Sequence, residues 1–322
     1  MNGGSKAFSA FAKIFETGAP QLISRELIAD TQTPLSAYLK LAAGTPNSFL
    51  LESVEGGEVR GRFSVIGLAP DLIWRCRGQL AEINRDPAKS DDFDVVDDNP
   101  IESLRALMAE SAMQDTGGLP PMAAGLFGYF GYDMIRQIET IPDSTETVID
   151  TPDSMLLRPS LIAIFDRLRD SITLVTQIRP ADWDDAAGAW NVAQSRLSNA
   201  MLALEAPTPP TEAGADDAVL PAPQSNMTKS DFTSIVAKAR DYIRAGEIFQ
   251  VVLSQRFSVP FHLPAFNLYR SLRRLNPSPF LFFFDFGGLS IVGSSPEILV
   301  RLRDDVVTLS LIHISEPTRP LY

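Results

Sequence analysis

Leu35, Tyr38, Leu39 and Ala42 recur at helical spacing behind Thr33-Pro34. A threonine cap followed by proline at the first helical position predicts a helix there, stopped by Gly44. Apolar runs of strand length follow at 49–53, 62–66, 72–77 and 80–84. Gly78-Gln79 joins the last two as a tight hairpin. The acidic stretch 90–98 reads as a solvated loop. Asn99-Pro100 then opens a helix through Ile101, Leu104, Leu107 and Met108. Residues 117–121 break the chain, and 126–132 are apolar and aromatic. Residues 161–165 and 172–178 read as strands around an Asp170-Ser171 turn. Trp183, Trp190, Leu197, Met201 and Leu204 fall on one helical stripe.

The next stretch, 205–224, carries five prolines and few apolar residues, which marks a linker. Beyond it, Thr228-Lys229-Ser230-Asp231 has the form of a capping box. Phe232, Ile235, Val236, Ala239, Tyr242 and Ile243 are the expected buried face of that helix, and Gly246 its stop. A strand is expected over 248–257 and a short helix over 265–275. Residues 280–286 and 289–293 form a hairpin around Gly287-Gly288. Residues 297–303 and 306 onward are expected to extend it as a meander. The mixture is α/β, and its hairpins call for largely antiparallel sheets.

Charge and composition narrow the function. The chain has 322 residues and a net charge of −12, which disfavours nucleic acid and anionic membranes. Its most apolar run, 280–293, contains Asp285 and the pair Gly287-Gly288, so no membrane span is expected. The first twelve residues lack the apolar core of a signal peptide. A single cysteine, Cys76, excludes an internal disulfide and fits a reducing, cytoplasmic setting. With two histidines, His262 and His313, no His/Cys metal cluster is possible. His262 sits in a proline-bounded loop and reads as solvated or packed, and Cys76 as a strand position. The glycines of Gly125-Leu-Phe-Gly128-Tyr-Phe-Gly131 alternate with aromatics, which fits close backbone packing in a sheet better than a dinucleotide loop.

Two constellations remain. In Leu50-Leu51-Glu52-Ser53 a serine and a carboxylate end a strand, where they can hold an ammonium or amide group. The turn Glu55-Gly56-Gly57 and the basic stretch Arg60-Gly61-Arg62 follow. In Asn276-Pro277-Ser278-Pro279-Phe280-Leu281 two prolines fix φ and bring no competing N–H. Rigid carbonyls beside an aromatic and an aliphatic side chain suit an amino acid with an apolar ring. Either alone is also consistent with a simple turn.

Together with Gly128-Tyr-Phe-Gly-Tyr-Asp133, Ala245-Gly-Glu-Ile-Phe-Gln-Val-Val-Leu-Ser-Gln-Arg256 and Gly293-Ser-Ser-Pro-Glu-Ile298, these segments resemble, in order, the large subunit of anthranilate synthase. The resemblance runs from about residue 17 to 308. It implies a chorismate-utilising fold of two packed, largely antiparallel β-sheets flanked by helices. It divides the chain into a regulatory region (1–204), a linker (205–226) and the start of a catalytic domain (227–308). It implies conversion of chorismate and ammonia to anthranilate and pyruvate with Mg²⁺. The ammonia comes from a glutamine amidotransferase subunit, and tryptophan is the feedback inhibitor. By the motif match, Ser53, Pro279, Phe280 and Leu281 fall on the tryptophan pocket, with Glu52 and Arg62 as neighbours. Aminodeoxychorismate synthase and isochorismate synthase are the alternatives within the chorismate enzymes, and a non-catalytic tryptophan-binding fragment is the alternative outside them.

After Thr308 the family pattern is lost. Residues 309–322, with Thr318-Arg319-Pro320, read as a non-native tail, and the fold is expected to be incomplete. The family's metal-binding glutamates, catalytic histidine and substrate arginine are expected beyond this point. No catalytic or metal-binding residue is therefore assigned, and the chain alone is expected to form no anthranilate.

Overall fold

The computed structural model describes residues 2–42, 44–53, 61–113, 115–142, 148–210, 221–248, 251–303 and 305–309. Its elements run α1 (Asn2–Phe15), β1 (Gln21–Ile28), α2 (Pro34–Ala42), β2 (Ser48–Glu52), β3 (Phe63–Arg77), β4 (Leu80–Asn84), β5 (Asp94–Val96), α3 (Pro100–Ser111), β6 (Phe127–Phe130), β7 (Ser154–Asp166), β8 (Ser171–Ile178) and α4 (Ala186–Glu205). After these come β9 (Gln224–Ser225), α5 (Lys229–Ala245), β10 (Phe257–Ser258), α6 (Ala265–Leu275), β11 (Phe280–Asp285), β12 (Ser290–Ser295), β13 (Val300–Arg303) and β14 (Val306–Leu309).

Among the described residues the architecture is mixed α/β, with one ten-stranded antiparallel sheet and two two-stranded ones. The long ladder of β3 against β7 is its spine, from Phe63↔Asp166 to Cys76↔Ser154. The first half of β3 also borders β2, and its second half borders β4. Beyond β2 lie β11 and then β12. Apolar side chains cover both faces. On one, Leu50, Ile66, Phe165, Leu281 and Phe283 pack with Tyr38 of α2, Leu197 of α4 and Phe266 and Tyr269 of α6. On the other, Phe49, Val65, Ile164, Phe284 and Phe286 form a second core. This is the burial expected of strands whose paired residues share a face.

Contacts divide the chain into Met1–Pro209 with Ala265–Tyr322, and Pro210–Pro264. The division differs from the boundary expected at the linker, because β11, encoded after it, pairs with β2, encoded before it. The smaller unit holds α5 and the β9–β10 pair. Thr228 and Asp231 form the reciprocal capping box, and Gly246 ends the helix at φ 78°. Of the face expected to be buried, only Ala239 is, while Tyr242 and Ile243 are 40% and 46% exposed. Periodicity fixes which residues share a helix face, not what covers it.

Several other expectations change. The strand over 248–257 shrinks to Phe257–Ser258, paired only with Gln224–Ser225; Phe249 and Gln250 lie outside the described residues. An apolar run becomes a strand only where a neighbour supplies its hydrogen bonds. The runs at 62–66 and 72–77 are one strand, bent by a register shift at Pro70/Leu72 with Ala69 at φ 46°. The acidic stretch contributes β5, which pairs with β4. The final hairpin, β13–β14, stands as its own sheet. α1 and β1 were not anticipated; Phe8, Phe11 and Phe15 of α1 pack with Trp190 of α4.

The end of α3 is tied to the sheet by arginines. Arg85 donates two hydrogen bonds to the Glu110 carboxylate, and buried Arg158 donates to Glu110 and Asp71. Arg179 donates to the carbonyls of Glu110 and Ser111. The hydrogen bond from Arg85, assisted by Arg158, outweighs burial and holds the Glu110 carboxyl down at about 2. A carboxyl lowered on folding stabilises the folded state above its unfolded value, about 4.3, and loses that contribution as pH falls through about 2. Glu110→Gln should therefore flatten the acid side of the stability profile between those values. Urea midpoints from pH 6 to 2 measure this, and an acid limb identical to the parent's would refute it.

Candidate functional site

Ser48–Glu52 is the strand from which the site grows. It lies between β3 and β11, with Glu52 opposite both Ser64 and Leu281. Alternate residues along it point to opposite faces.

One face is closed, its apolar core ending in a buried polar cluster at Glu52. The Glu52 side chain has no exposed surface. Its Oε2 accepts hydrogen bonds from the Tyr269 hydroxyl at 2.6 Å and from Arg273 Nε at 2.8 Å, and its Oε1 accepts from Arg273 Nη2 at 3.2 Å. Both partners belong to α6, so this carboxylate ties the helix to the sheet. Burial, with the Glu52 charge and hydrogen bond beside it, raises the Tyr269 hydroxyl far above its usual range and keeps it a donor.

The other face is apolar and open. Leu51, Phe127, Gly128, Tyr129, Phe282, Phe284 and Ile291 line a cavity of about 380 Å³. Behind the wall, fully buried Phe49 stacks on Phe127 with ring centroids 4.7 Å apart. Two glycines permit this packing. A Cβ on Gly293 would fall 2.0 Å from the Phe282 ring, and one on Gly128 would fall 1.9 Å from the Met155 carbonyl oxygen. The glycine–aromatic alternation thus serves close backbone approach in the sheet.

Ser53 follows the last paired residue of β2, where strand alternation continues the face of Leu51. Phe280, two residues before Phe282 on the same face, begins β11 next to it and is 38% exposed. The structure therefore brings Ser53 and Phe280 together at the rim of the apolar face, with half-buried Pro279 adjoining. Leu281 points the other way, is 1% exposed and packs in the core with Tyr269. Only its backbone can approach a ligand on the Ser53 face. Glu52 shares the side of Leu281. Arg62 is engaged elsewhere, donating from Nε and Nη2 to Asp166. Glu55, Gly56, Gly57 and Arg60 lie outside the described residues, as do His313 and Thr318-Arg319-Pro320. His262 is exposed, and Cys76 is buried with its thiol raised to about 11 by burial.

Leu51, Phe127, Tyr129 and Phe282 were missed as site residues, although counting in twos from Ser53 and Phe280 finds Leu51 and Phe282. Tyr269 and Arg273 had no local signal, since their partner lies more than two hundred positions away. Among the described residues no group of three or more His, Cys, Asp or Glu side chains is placed to hold a metal. No described helix is long and apolar enough to cross a membrane.

The model of the chorismate binding enzyme family matches residues 46–313, and the chain belongs to that family. It is 47% identical over 305 residues to anthranilate synthase component 1 of Cereibacter sphaeroides, covering 94% of this chain and 61% of that protein. It is 37% identical over 302 residues to the same component of Pseudomonas aeruginosa, covering 92% of this chain and 60% of that protein. The crystal structure of anthranilate synthase component I from Streptococcus pneumoniae superposes with a TM-score of 0.64 at 28% identity, covering 88% of this chain and 60% of that one. The chain thus spans about three fifths of the length of these relatives.

Proposed function

We propose that the chain supplies the tryptophan-regulated region of an anthranilate synthase large subunit. The whole protein would convert chorismate and ammonia to anthranilate and pyruvate in the cytoplasm, with Mg²⁺. The ammonia would come from glutamine through an amidotransferase subunit. On this reading the region before the linker is regulatory, and the catalytic domain begins after it.

One observation supports the reading: Glu52 pairs with Leu281, so Ser53 and Phe280 continue the strand face whose Leu51 and Phe282 line a cavity of about 380 Å³. Strand-end carbonyls and the Ser53 hydroxyl offer acceptors to an α-ammonium group. The cavity wall offers an indole ring stacking and edge contacts. Glu52 takes no direct part, because its carboxylate is spent on α6. The relatives named anthranilate synthase component 1 favour this product over the other chorismate enzymes.

Calorimetry of the chain with L-tryptophan should give saturable binding, lost in Ser53→Phe, where a ring fills the rim. Silence at millimolar tryptophan would sink the socket. In a version extended to the relatives' full length, Ser53→Phe should weaken tryptophan inhibition at least tenfold, a loss of about 1.4 kcal/mol, and leave turnover nearly unchanged. Equal loss of both would argue against a separate effector site. Formation of aminodeoxychorismate or isochorismate by that version would overturn the product assignment.

A further inference from the structure

The face of the sheet opposite Ser53 carries a second feature. A surface cleft of about 240 Å³ opens between the start of α2, the turn joining β7 to β8, and α6. Two guanidiniums converge beside it on one atom. Arg273 Nη2 lies 3.2 Å and Arg167 Nη2 3.9 Å from Oε1 of Glu52. Arg273 commits only Nε and Nη2 to that carboxylate. Among the described residues the Arg167 side chain meets only Glu52, at the longer distance. Two cationic forks line the cleft with donors to spare.

A buried hydroxyl in the same row also lacks a partner. Ser64 pairs across the strands with Glu52 and with Phe165, which lines the cleft. Its Oγ is enclosed and makes no hydrogen bond. Of the carboxylates on the wall, Asp166 is neutralised by two hydrogen bonds from Arg62, and Asp170 is the opposing charge. Thr33 and Pro34 bring the N-terminus of α2, nine residues long, to the rim, adding partial positive charge.

We infer that this cleft binds a small oxyanion, a carboxylate or phosphate group, held between Arg167 and Arg273. Guanidinium forks match planar and tetrahedral oxyanions bidentately, and the volume limits the ligand to a few heavy atoms. The site is independent of the tryptophan socket, which lies on the other face of β2.

The test is calorimetric titration of the 322-residue chain with malonate and, separately, inorganic phosphate, at ionic strength held constant with chloride. The expected result is saturable binding of at least one anion. It should weaken about tenfold in Arg167→Gln, as loss of a charge-assisted contact implies, and less in Arg167→Lys, which keeps the charge without the fork. Binding of malonate alone would assign the ligand as a carboxylate, and of phosphate alone as a phosphate. Circular dichroism of the variants, expected to match the parent because Arg167 is exposed, secures the comparison. Heat from neither anion, or parental affinity in Arg167→Gln, would overturn the inference.

Discussion

Glu52→Ala should destabilise the chain by about 3–5 kcal/mol, the range for removing one partner of a buried ion pair. The substitution leaves the Arg273 guanidinium facing a sheet with no acceptor, and it strands the hydroxyl of Tyr269, a fully buried side chain. It also releases α6, whose Phe266 stacks on both Tyr38 and Tyr269. Glu52→Gln keeps an acceptor for Tyr269 and gives up only the charge, so its cost should be roughly half as large. Urea unfolding followed by far-ultraviolet circular dichroism measures both. Equal effects of the two substitutions, or a loss under about 1 kcal/mol for alanine, would mean that the carboxylate does not hold the helix.

A comparable loss, about 3–5 kcal/mol, is expected for Trp74→Ala. Trp74 is fully buried near the end of the β3–β7 spine, among Leu72, Leu107, Met134 and Leu156. Its indole N–H donates to the Ser103 hydroxyl of α3 at 3.0 Å. Truncation opens a cavity the size of a bicyclic ring and leaves that buried hydroxyl without its donor. Trp74→Phe should recover most of the packing and fail to recover the hydrogen bond. Guanidinium midpoints separate the three proteins, and a Trp74→Ala midpoint near the parent's would contradict close packing here.

Local signals in the chain located most of the elements. The cap at Asn99-Pro100, the capping box at Thr228, the turn at Gly78-Gln79 and the hairpin around Gly287-Gly288 each form as their residues dictate. These devices act over two to four residues, so neighbours in sequence suffice to read them. Of the glycines among the aromatics at 125–131, Gly128 and Gly131 do pack closely on backbone, that of Met155 and Asp153. Where the reading failed, the deciding partner was distant. The run at 248–257 has strand composition and only a two-residue partner, and the stripe on α5 has helical spacing with Ala239 alone buried.

The candidate site divides the same way. The sequence by itself determined its vocabulary: a serine and a carboxylate at a strand end, a proline-stiffened corner and an aromatic run. Strand alternation puts Glu52 and Ser53 on opposite faces, against the expectation that the two together hold one ammonium group. Only the tertiary structure decided that β2 and β11, more than two hundred residues apart, lie side by side. That pairing put Phe280 with Ser53 and sent Leu281 into the core with Glu52. Sheet pairing depends on hydrogen bonds and burial that no segment possesses alone, so it is settled when the strands meet.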